Sequence, residues 1–206
     1  MERNRLRKVL NLGFLASHNG SNVQAIIDAC RNGRLKASPS VVISNNSAAP
    51  ALQRARREGI PTHHLSRRTH PLPEDLDTAI LDVLTRNGVD LVVLAGYMRL
   101  LGHRTVSRFR GHILNTHPAL LPKYGGEGMY GLQVHEAVLA AGDGITGATI
   151  HQVDEEYDLG PILAQRKIPV LQEDTAETLQ RRVLKCEHEL YVETLQRIST
   201  GQIKLG

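Results

Sequence analysis

The sequence has 206 residues, of which 41% are hydrophobic and 22% charged, and these proportions exclude a disordered, a collagen-like and a disulfide-rich chain. The 25 basic residues exceed the 21 acidic ones, and the net charge of +4 mildly favours an anionic ligand. Aromatic residues make up only 3%, and the basic residues are interspersed with acids, so the composition argues against stacking on nucleic acid.

The cysteines and the start of the chain predict a reducing, cytoplasmic location. Cys30 and Cys186 lie in predicted helices and have no metal-type or redox-type neighbour. The basic segment Met1–Lys8 precedes an apolar stretch that is short and is broken by Asn11 and Gly13. The sequence therefore predicts neither a signal peptide nor a membrane span.

In the first half of the chain, apolar runs of strand length alternate with longer stretches of helical period, which is typical of parallel βαβ units. The predicted elements are a strand at Val9–Ala16, a helix at Ser21–Asn32, a strand at Ser40–Ser44, a helix at Ala49–Glu58, a short strand after Pro61, a helix at Glu74–Asn87 and a strand at Leu91–Ala95. The last strand is continuously apolar, as a strand covered on both faces should be.

The second half has shorter elements and a loop rich in glycine and proline. The predicted elements are a short helix at Gly102–Phe109, a strand at His112–Asn115, the loop Pro118–Gly131, a helix at Leu132–Ala141, strands at Gly147–Val153 and Ile162–Pro169, and a helix from Thr175 to about Ser199. Asp174 or Thr175 is the expected N-cap of the last helix. Since no linker divides the chain, we expect one domain, with Met1–Lys8 as a disordered extension.

A loop of small polar residues, Ser17–Asn22, stands between the first predicted strand and helix. The free amides and the positive dipole end of that helix attract an anion, for which phosphate is the natural candidate. The spacing matches neither the dinucleotide fingerprint nor the P-loop. A plain turn with Ser21 as the N-cap is an equally good interpretation of this segment alone.

The tetrapeptide Asn115-Thr116-His117-Pro118 stands at the end of a predicted strand. Asn115 and His117 share one face of an extended segment, at the edge of the sheet where open α/β folds bind ligands. An amide donor beside a titratable imidazole suits stabilisation of an oxyanion. A buried histidine satisfied by the backbone is the alternative interpretation.

Two further segments are candidates for the same site. The acidic loop Asp154–Pro161 can supply a carboxylate that holds an imidazolium and relays a proton, although such loops are often only solvated connections. The segment Leu94–Leu101 suits the wall of a pocket for a flat organic ligand, and apolar positions of this kind are equally typical of a core.

The order and spacing of these four segments, together with Leu120-Leu121-Pro122-Lys123, closely resemble the phosphoribosylglycinamide formyltransferase family, the folate-dependent enzymes of purine synthesis. The resemblance covers residues 8 to 200. It implies a single-domain α/β fold, with a mostly parallel, seven-stranded twisted sheet and helices on both faces. Residues 9–110 would form a Rossmann-like, mononucleotide-binding half and residues 111–206 a catalytic and folate-binding half.

The resemblance also implies a reaction and its participants. The formyl group of 10-formyltetrahydrofolate, a co-substrate, passes to the amine of 5-phosphoribosylglycinamide, and no metal is required. The partners would be these small molecules alone, with neither nucleic acid nor membrane, and the protein would be a monomer or a homodimer.

The family pattern assigns roles to residues of this chain. It implies Asn115, His117 and Asp158 as the catalytic trio, Gly20, Ser21 and Asn22 as a phosphate cradle, Glu187 as the ribose contact, and Met98, Arg99, Leu100, Leu101 and Asp154 as folate-binding residues. The Leu121–Pro122 bond is expected to be cis. The chain departs from the better-known members at residues 125–130, where those proteins have a proline and a further histidine.

Residue chemistry agrees with the proposed trio. Attack of an amine on a formyl carbon creates an oxyanion and a positively charged nitrogen. Asn115 and a cationic His117 can donate to the oxyanion. Asp158 can favour the imidazolium and accept the proton that leaves the amine, directly or through a water. Activity should therefore depend on the coupled titration of His117 and Asp158.

Three other functions are weighed against this one. Formyltetrahydrofolate hydrolases have a similar trio but resemble a longer chain with an added N-terminal domain. Methionyl-tRNA formyltransferases resemble a longer chain with a C-terminal nucleic-acid-binding domain. A non-catalytic module that binds phosphate or folate compounds would be expected to lack a member of the trio, whereas all three positions are occupied here.

Overall fold

The computed structural model describes residues 9–154 and 157–206. The predicted extension Met1–Lys8 lies outside the described residues. In chain order the elements are β1 Leu10–Leu15, α1 Ser21–Arg31, β2 Ala37–Ser44, α2 Pro50–Arg57, β3 Thr62–His64, α3 Pro73–Arg86, β4 Leu91–Leu94, α4 His103–Arg108, β5 Ile113–His117, α5 Leu132–Ala140, β6 Ile145–Gln152, β7 Ile162–Pro169 and α6 Ala176–Ser199.

Seven strands form a single sheet in the order β3-β2-β1-β4-β5-β6-β7. The four pairings from β3 through β5 are parallel, whereas β6 pairs with β5 and β7 in the antiparallel sense. The predicted α/β fold with a mostly parallel sheet is therefore confirmed. The antiparallel pairing of β5 and β6 sets Asn115 opposite His151.

Hydrophobic residues fill both faces of the sheet. One cluster joins Phe14 of β1 to α1, α2, α5 and α6, and Tyr191 of α6 is its largest fully buried side chain. A second cluster joins Leu15 of β1 to Leu84 of α3 and Val106 of α4. Successive residues of β1 thus enter opposite layers, as the period of two in a strand requires.

Two boundaries illustrate the local rules. Thr175 is the N-cap of α6, where its hydroxyl accepts from the amide of Thr178 in a capping box, so the second of the two predicted caps is correct. Strand β2 begins at Ala37, earlier than predicted, and continues through Pro39. The register against β1 shifts beside Pro39, and such an irregularity is where a strand tolerates proline.

Among the described residues, no helix combines the length and the apolar character that crossing a bilayer demands. Cys30 and Cys186 are both free thiols.

Candidate active site

The carboxyl end of β5 brings Asn115 and His117 to the edge of the sheet, and the connection between β6 and β7 brings Asp158 to the same place. Nδ1 of His117 lies 3.4 Å from Oδ2 of Asp158, and their side chains are 4% and 11% exposed. His117 and Asp158 of the predicted trio therefore meet in a largely desolvated environment, where electrostatic interactions are stronger than in water.

The second ring nitrogen of His117 is committed to the backbone. Nε2 lies 2.6 Å from the carbonyl oxygen of Tyr124, and because a carbonyl only accepts, Nε2 carries the proton. Burial lowers the pKa of His117, and the attraction of Asp158 and the bond to Tyr124 oppose this shift without overcoming it. The imidazole is therefore biased toward its neutral form, with Nδ1 free to take a proton.

Asp158 is held from several sides. Its backbone is left-handed, with φ of 56°, a conformation that aspartate adopts more readily than most residues. The amide of Gly126 donates to Oδ2 at 3.0 Å. Burial raises the pKa of Asp158, but hydrogen bonding to His151, the charge of His117 and the Gly126 amide outweigh burial and leave this pKa below its usual value. The carboxylate is therefore ionised at neutral pH.

His151 joins the site, and the sequence interpretation missed it. Its Nδ1 lies 2.9 Å from the carbonyl oxygen of Gln152, so Nδ1 carries a proton. Its Nε2 lies 3.1 Å from Nδ2 of Asn115 and 3.4 Å from Oδ1 of Asp158. The side chain of His151 therefore bridges the Asn115 amide and the Asp158 carboxylate and holds both in place. Pairing β5 with β6 would have revealed this residue, because it faces Asn115 directly across the two strands.

A cleft of about 250 Å³ opens beside these residues. Asn115, His151 and Asp158 line it, together with Leu94, Tyr97, Arg99, Leu100, Leu101, Val106, Val153 and Asp154, whereas His117 does not. Most of the predicted folate segment therefore lines the cleft, as does Asp154. Met98 does not line it, and its backbone amide instead donates to the hydroxyl of Ser17 at 2.8 Å.

The predicted phosphate cradle stands where β1 leads into α1. Gly20 is the N-cap of α1 in a left-handed conformation, with φ of 69°, and no side chain caps the helix, so the interpretation of Ser21 as the N-cap is wrong. A Cβ added to Gly20 would lie 2.5 Å from Cβ of Ala51. Glycine is therefore required by the approach of α2 as well as by the backbone angle. The amides of the first turn of α1 have no partner within the helix.

Glu187 of α6 contacts β5, the strand that carries Asn115 and His117. Its side chain is buried, with 7% of the residue exposed. The hydroxyl of Thr116 donates to its Oε1 at 3.0 Å, and Asn22 forms a further hydrogen bond with it. Burial raises the pKa of Glu187 to about 7, against the opposing effect of these two bonds. Asn22 thereby connects the predicted cradle to an acidic group that titrates near neutral pH.

Comparison with known proteins identifies the family. A family model described as formyl transferase matches residues 10–195. The phosphoribosylglycinamide formyltransferase of Escherichia coli is 39% identical over 196 residues, which cover 95% of this chain and 90% of that protein. The chain belongs to the formyl transferase family. The resemblance inferred from the sequence motifs is therefore confirmed.

Solved structures agree with this family assignment. The glycinamide ribonucleotide transformylase 1 of Symbiobacterium toebii superposes with a TM-score of 0.89 at 39% identity, covering 96% of this chain and 91% of that one. A formyltetrahydrofolate deformylase from Pseudomonas syringae superposes with a TM-score of 0.86 at 22% identity, covering 97% of this chain and 64% of that one. At this identity the likeness shows only a common fold.

Some relatives are longer than this chain. The chloroplastic phosphoribosylglycinamide formyltransferase of Vigna unguiculata is 43% identical over 93% of this chain, which spans 62% of that protein. The human trifunctional purine biosynthetic protein adenosine-3 is 38% identical over 97% of this chain, which spans 19% of that protein.

Proposed function

We propose that the protein transfers the formyl group of 10-formyltetrahydrofolate to the amine of 5-phosphoribosylglycinamide, in purine biosynthesis. The observation that carries this proposal is that Asn115 and the ionised Asp158 line one cleft, with the imidazole of His117 3.4 Å from the Asp158 carboxylate. The names of relatives such as the Escherichia coli protein support the same reaction.

Asn115 stabilises the oxyanion that forms when the amine attacks the formyl carbon. Nδ2 of its amide is held 3.1 Å from Nε2 of His151, and an N–H of this amide donates to the formyl oxygen. Because the amide is already oriented, little reorganisation is needed as negative charge develops. Removing one such donor typically lowers the rate by about 10² to 10³.

His117 and Asp158 handle the proton. The attacking amine is neutral and becomes positively charged as the new C–N bond forms. Its proton passes to Nδ1 of His117, directly or through Asp158, and the resulting imidazolium is stabilised by the carboxylate 3.4 Å away. When the tetrahedral intermediate collapses, His117 returns the proton to the departing folate nitrogen, so charge and protons balance. The residue chemistry of the sequence suggests a His117 that is already cationic in the free protein. In this proposal the imidazolium forms only during the reaction, which agrees with the lowered pKa of His117.

The two substrates occupy adjoining sites in this proposal. The phosphate of 5-phosphoribosylglycinamide binds to the amides of Gly20, Ser21 and Asn22 at the start of α1, and Glu187 accepts from its ribose hydroxyls. The folate lies along the cleft beside Arg99, Leu100, Leu101 and Asp154, with its formyl group beside Asn115 and Asp158. Remote binding of the phosphate orients the amine toward the formyl carbon.

Incubation with 10-formyltetrahydrofolate, with and without 5-phosphoribosylglycinamide, tests this function. We expect tetrahydrofolate to be released only when the amine is present. Release without the amine would indicate a hydrolase, and no release in either case would indicate a binding module. Substitution of Asn115→Ala serves as the inactive reference, because it removes the oxyanion donor.

A further inference from the structure

The turn formed by residues 123–126 contacts both members of the His117–Asp158 pair. The carbonyl oxygen of Tyr124 accepts from Nε2 of His117 at 2.6 Å, and the amide of Gly126 donates to Oδ2 of Asp158 at 3.0 Å. The backbone of this turn therefore fixes which nitrogen of His117 carries the proton and where the carboxylate lies.

Asp143, beyond the end of α5, holds this turn. Its carboxylate oxygens accept from Nζ of Lys123 at 2.7 and 2.6 Å, and the hydroxyl of Tyr124 donates to Oδ2 at 2.7 Å. Hydrogen bonding to Lys123 lowers the pKa of Asp143, which keeps the carboxylate ionised. Asp143 is itself fixed by its backbone amide, which donates to the carbonyl of Val138 at 3.3 Å.

The conformation of the turn needs such support. Tyr124 is left-handed, with φ of 60°, which is unfavourable for an aromatic residue. Gly126 and Gly128 follow, both with positive φ, and glycine backbones change conformation at little steric cost. The segment after Tyr124 therefore does little to hold the turn in place. Two side-chain contacts with Asp143 hold the turn to α5 and oppose rearrangement of Tyr124.

We propose that Asp143 is a positioning residue for formyl transfer, acting through the Tyr124 carbonyl on the proton of His117. This inference rests on the function proposed above. With Nε2–H bonded to Tyr124, the neutral ring presents Nδ1 to Asp158 and to the reacting amine. Without Asp143, the carbonyl is free to move, and the ring populates the tautomer that places a proton on Nδ1 and cannot accept another there.

Three variants separate the contacts made by Asp143. Asp143→Ala removes the hydrogen bonds with Lys123 and with Tyr124, Asp143→Asn retains an acceptor without the charge, and Tyr124→Phe removes only the phenol contact. The matched control is Asp82→Ala, which deletes a surface carboxylate that pairs with Arg86 at 3.4 Å one helical turn away on α3. Urea unfolding is recorded for each variant, so that the two milder changes carry the test if Asp143→Ala does not fold.

The readouts are kcat, the KM of each substrate, the pH dependence of kcat/KM and the tautomer of His117 from long-range ¹H–¹⁵N spectra. We expect Asp143→Ala to lower kcat roughly 10- to 100-fold with both KM values unchanged. Loss of the Tyr124 bond removes an interaction that raises the pKa of His117, so the acid limb should move to lower pH. Asp143→Asn and Tyr124→Phe should give smaller changes in the same direction, and Asp82→Ala none.

Two results would overturn the proposal. One is an Asp143→Ala variant whose kcat, pH profile and His117 tautomer match those of Asp82→Ala. The other is a loss of kcat with an unchanged pH profile and tautomer, since that would show only a structural role. The spectra need no turnover, so failure of the proposed reaction in the wild type remains distinguishable from failure of this inference.

Discussion

The hydroxyl of Ser17 accepts a hydrogen bond from the backbone amide of Met98 at 2.8 Å and donates to the side-chain oxygen of Asn45 at 2.7 Å. Ser17 is 3% exposed, and its own amide donates to the carbonyl of Gly96 at 3.0 Å. One buried side chain thus joins the loop that leads to Gly20 with the segment that continues into the cleft wall. The two proposed substrate sites share this anchor.

Substitution of Ser17→Ala should weaken binding of both substrates. It leaves the Met98 amide and the Asn45 oxygen without their shared partner, which should lower the free energy of unfolding by roughly 1–3 kcal/mol. We expect the KM of both substrates to rise, with a smaller effect on kcat, because the trio is untouched. Steady-state kinetics and urea unfolding measure these effects against Ser107→Ala, an exposed serine of α4. A change in only one KM would contradict the shared anchor.

Substitution of Gly20→Ala should destabilise the fold more than the same change at another left-handed glycine. Gly33 has φ of 76° and nothing within 4 Å of an added Cβ, so Gly33→Ala isolates the backbone cost, about 1 kcal/mol. The Cβ of Gly20→Ala meets Ala51 as well, and the total should reach about 2–4 kcal/mol. Equal unfolding free energies for the two variants would show that the contact with Ala51 of α2 adds no destabilisation.

The buried imidazole of His135 should make the protein sensitive to acid. Burial lowers the pKa of His135 to about 4, followed by a smaller effect of the His117 charge. Since the unfolded chain binds this proton near pH 6.5 and the folded protein does not, stability is lost as pH falls from 6.5 toward 4, by up to about 3 kcal/mol.

Replacement of His135→Leu should remove this part of the pH dependence. Urea unfolding free energies measured between pH 7 and pH 4 should fall less steeply than in the wild type. His18→Gln, which removes an exposed imidazole, is the control and should follow the wild-type curve. Parallel curves for the wild type and His135→Leu would show that His135 takes up its proton equally in both states.

Binding of 5-phosphoribosylglycinamide should release protons through Glu187. Because burial raises the pKa of this carboxyl to about 7, roughly half of the free protein carries the proton at that pH. Ribose hydroxyls donate to the ionised carboxylate, so binding should lower the pKa and expel up to about half a proton. Titration calorimetry in two buffers of different ionisation enthalpy measures this release. Glu187→Gln should reduce the difference between buffers by the share that Glu187 contributes, whereas an equal difference in the wild type and in Glu187→Gln would contradict the assignment.

Much of the fold is local in origin and was therefore predictable. Continuous apolar runs such as Leu91–Leu94 identify buried parallel strands, and Thr175 has the hydroxyl that a capping box requires. The cis Leu121–Pro122 bond, expected from the family resemblance, is present. The cytoplasmic location and the monomeric or homodimeric state stay predictions.

Other features depend on contacts between distant segments and could not be predicted from one sequence. His151 enters the site only through the antiparallel register of β5 and β6, which no local pattern specifies. The approach of Ala51 to Gly20 and the burial of Glu187 depend on how α2 and α6 pack. Asn115, His117 and Asp158 could be named from the sequence only through the family resemblance, because their spacing along the chain does not show which residues lie close together in space.

The most direct test follows a ¹³C-labelled formyl group through a single turnover, with wild-type protein and with Asp158→Asn. The account predicts that the wild type places the label on the amine of 5-phosphoribosylglycinamide, and that the substitution slows this step by at least about 10², because no carboxylate remains to stabilise the imidazolium. Label appearing as formate, or equal rates for the two proteins, would contradict it.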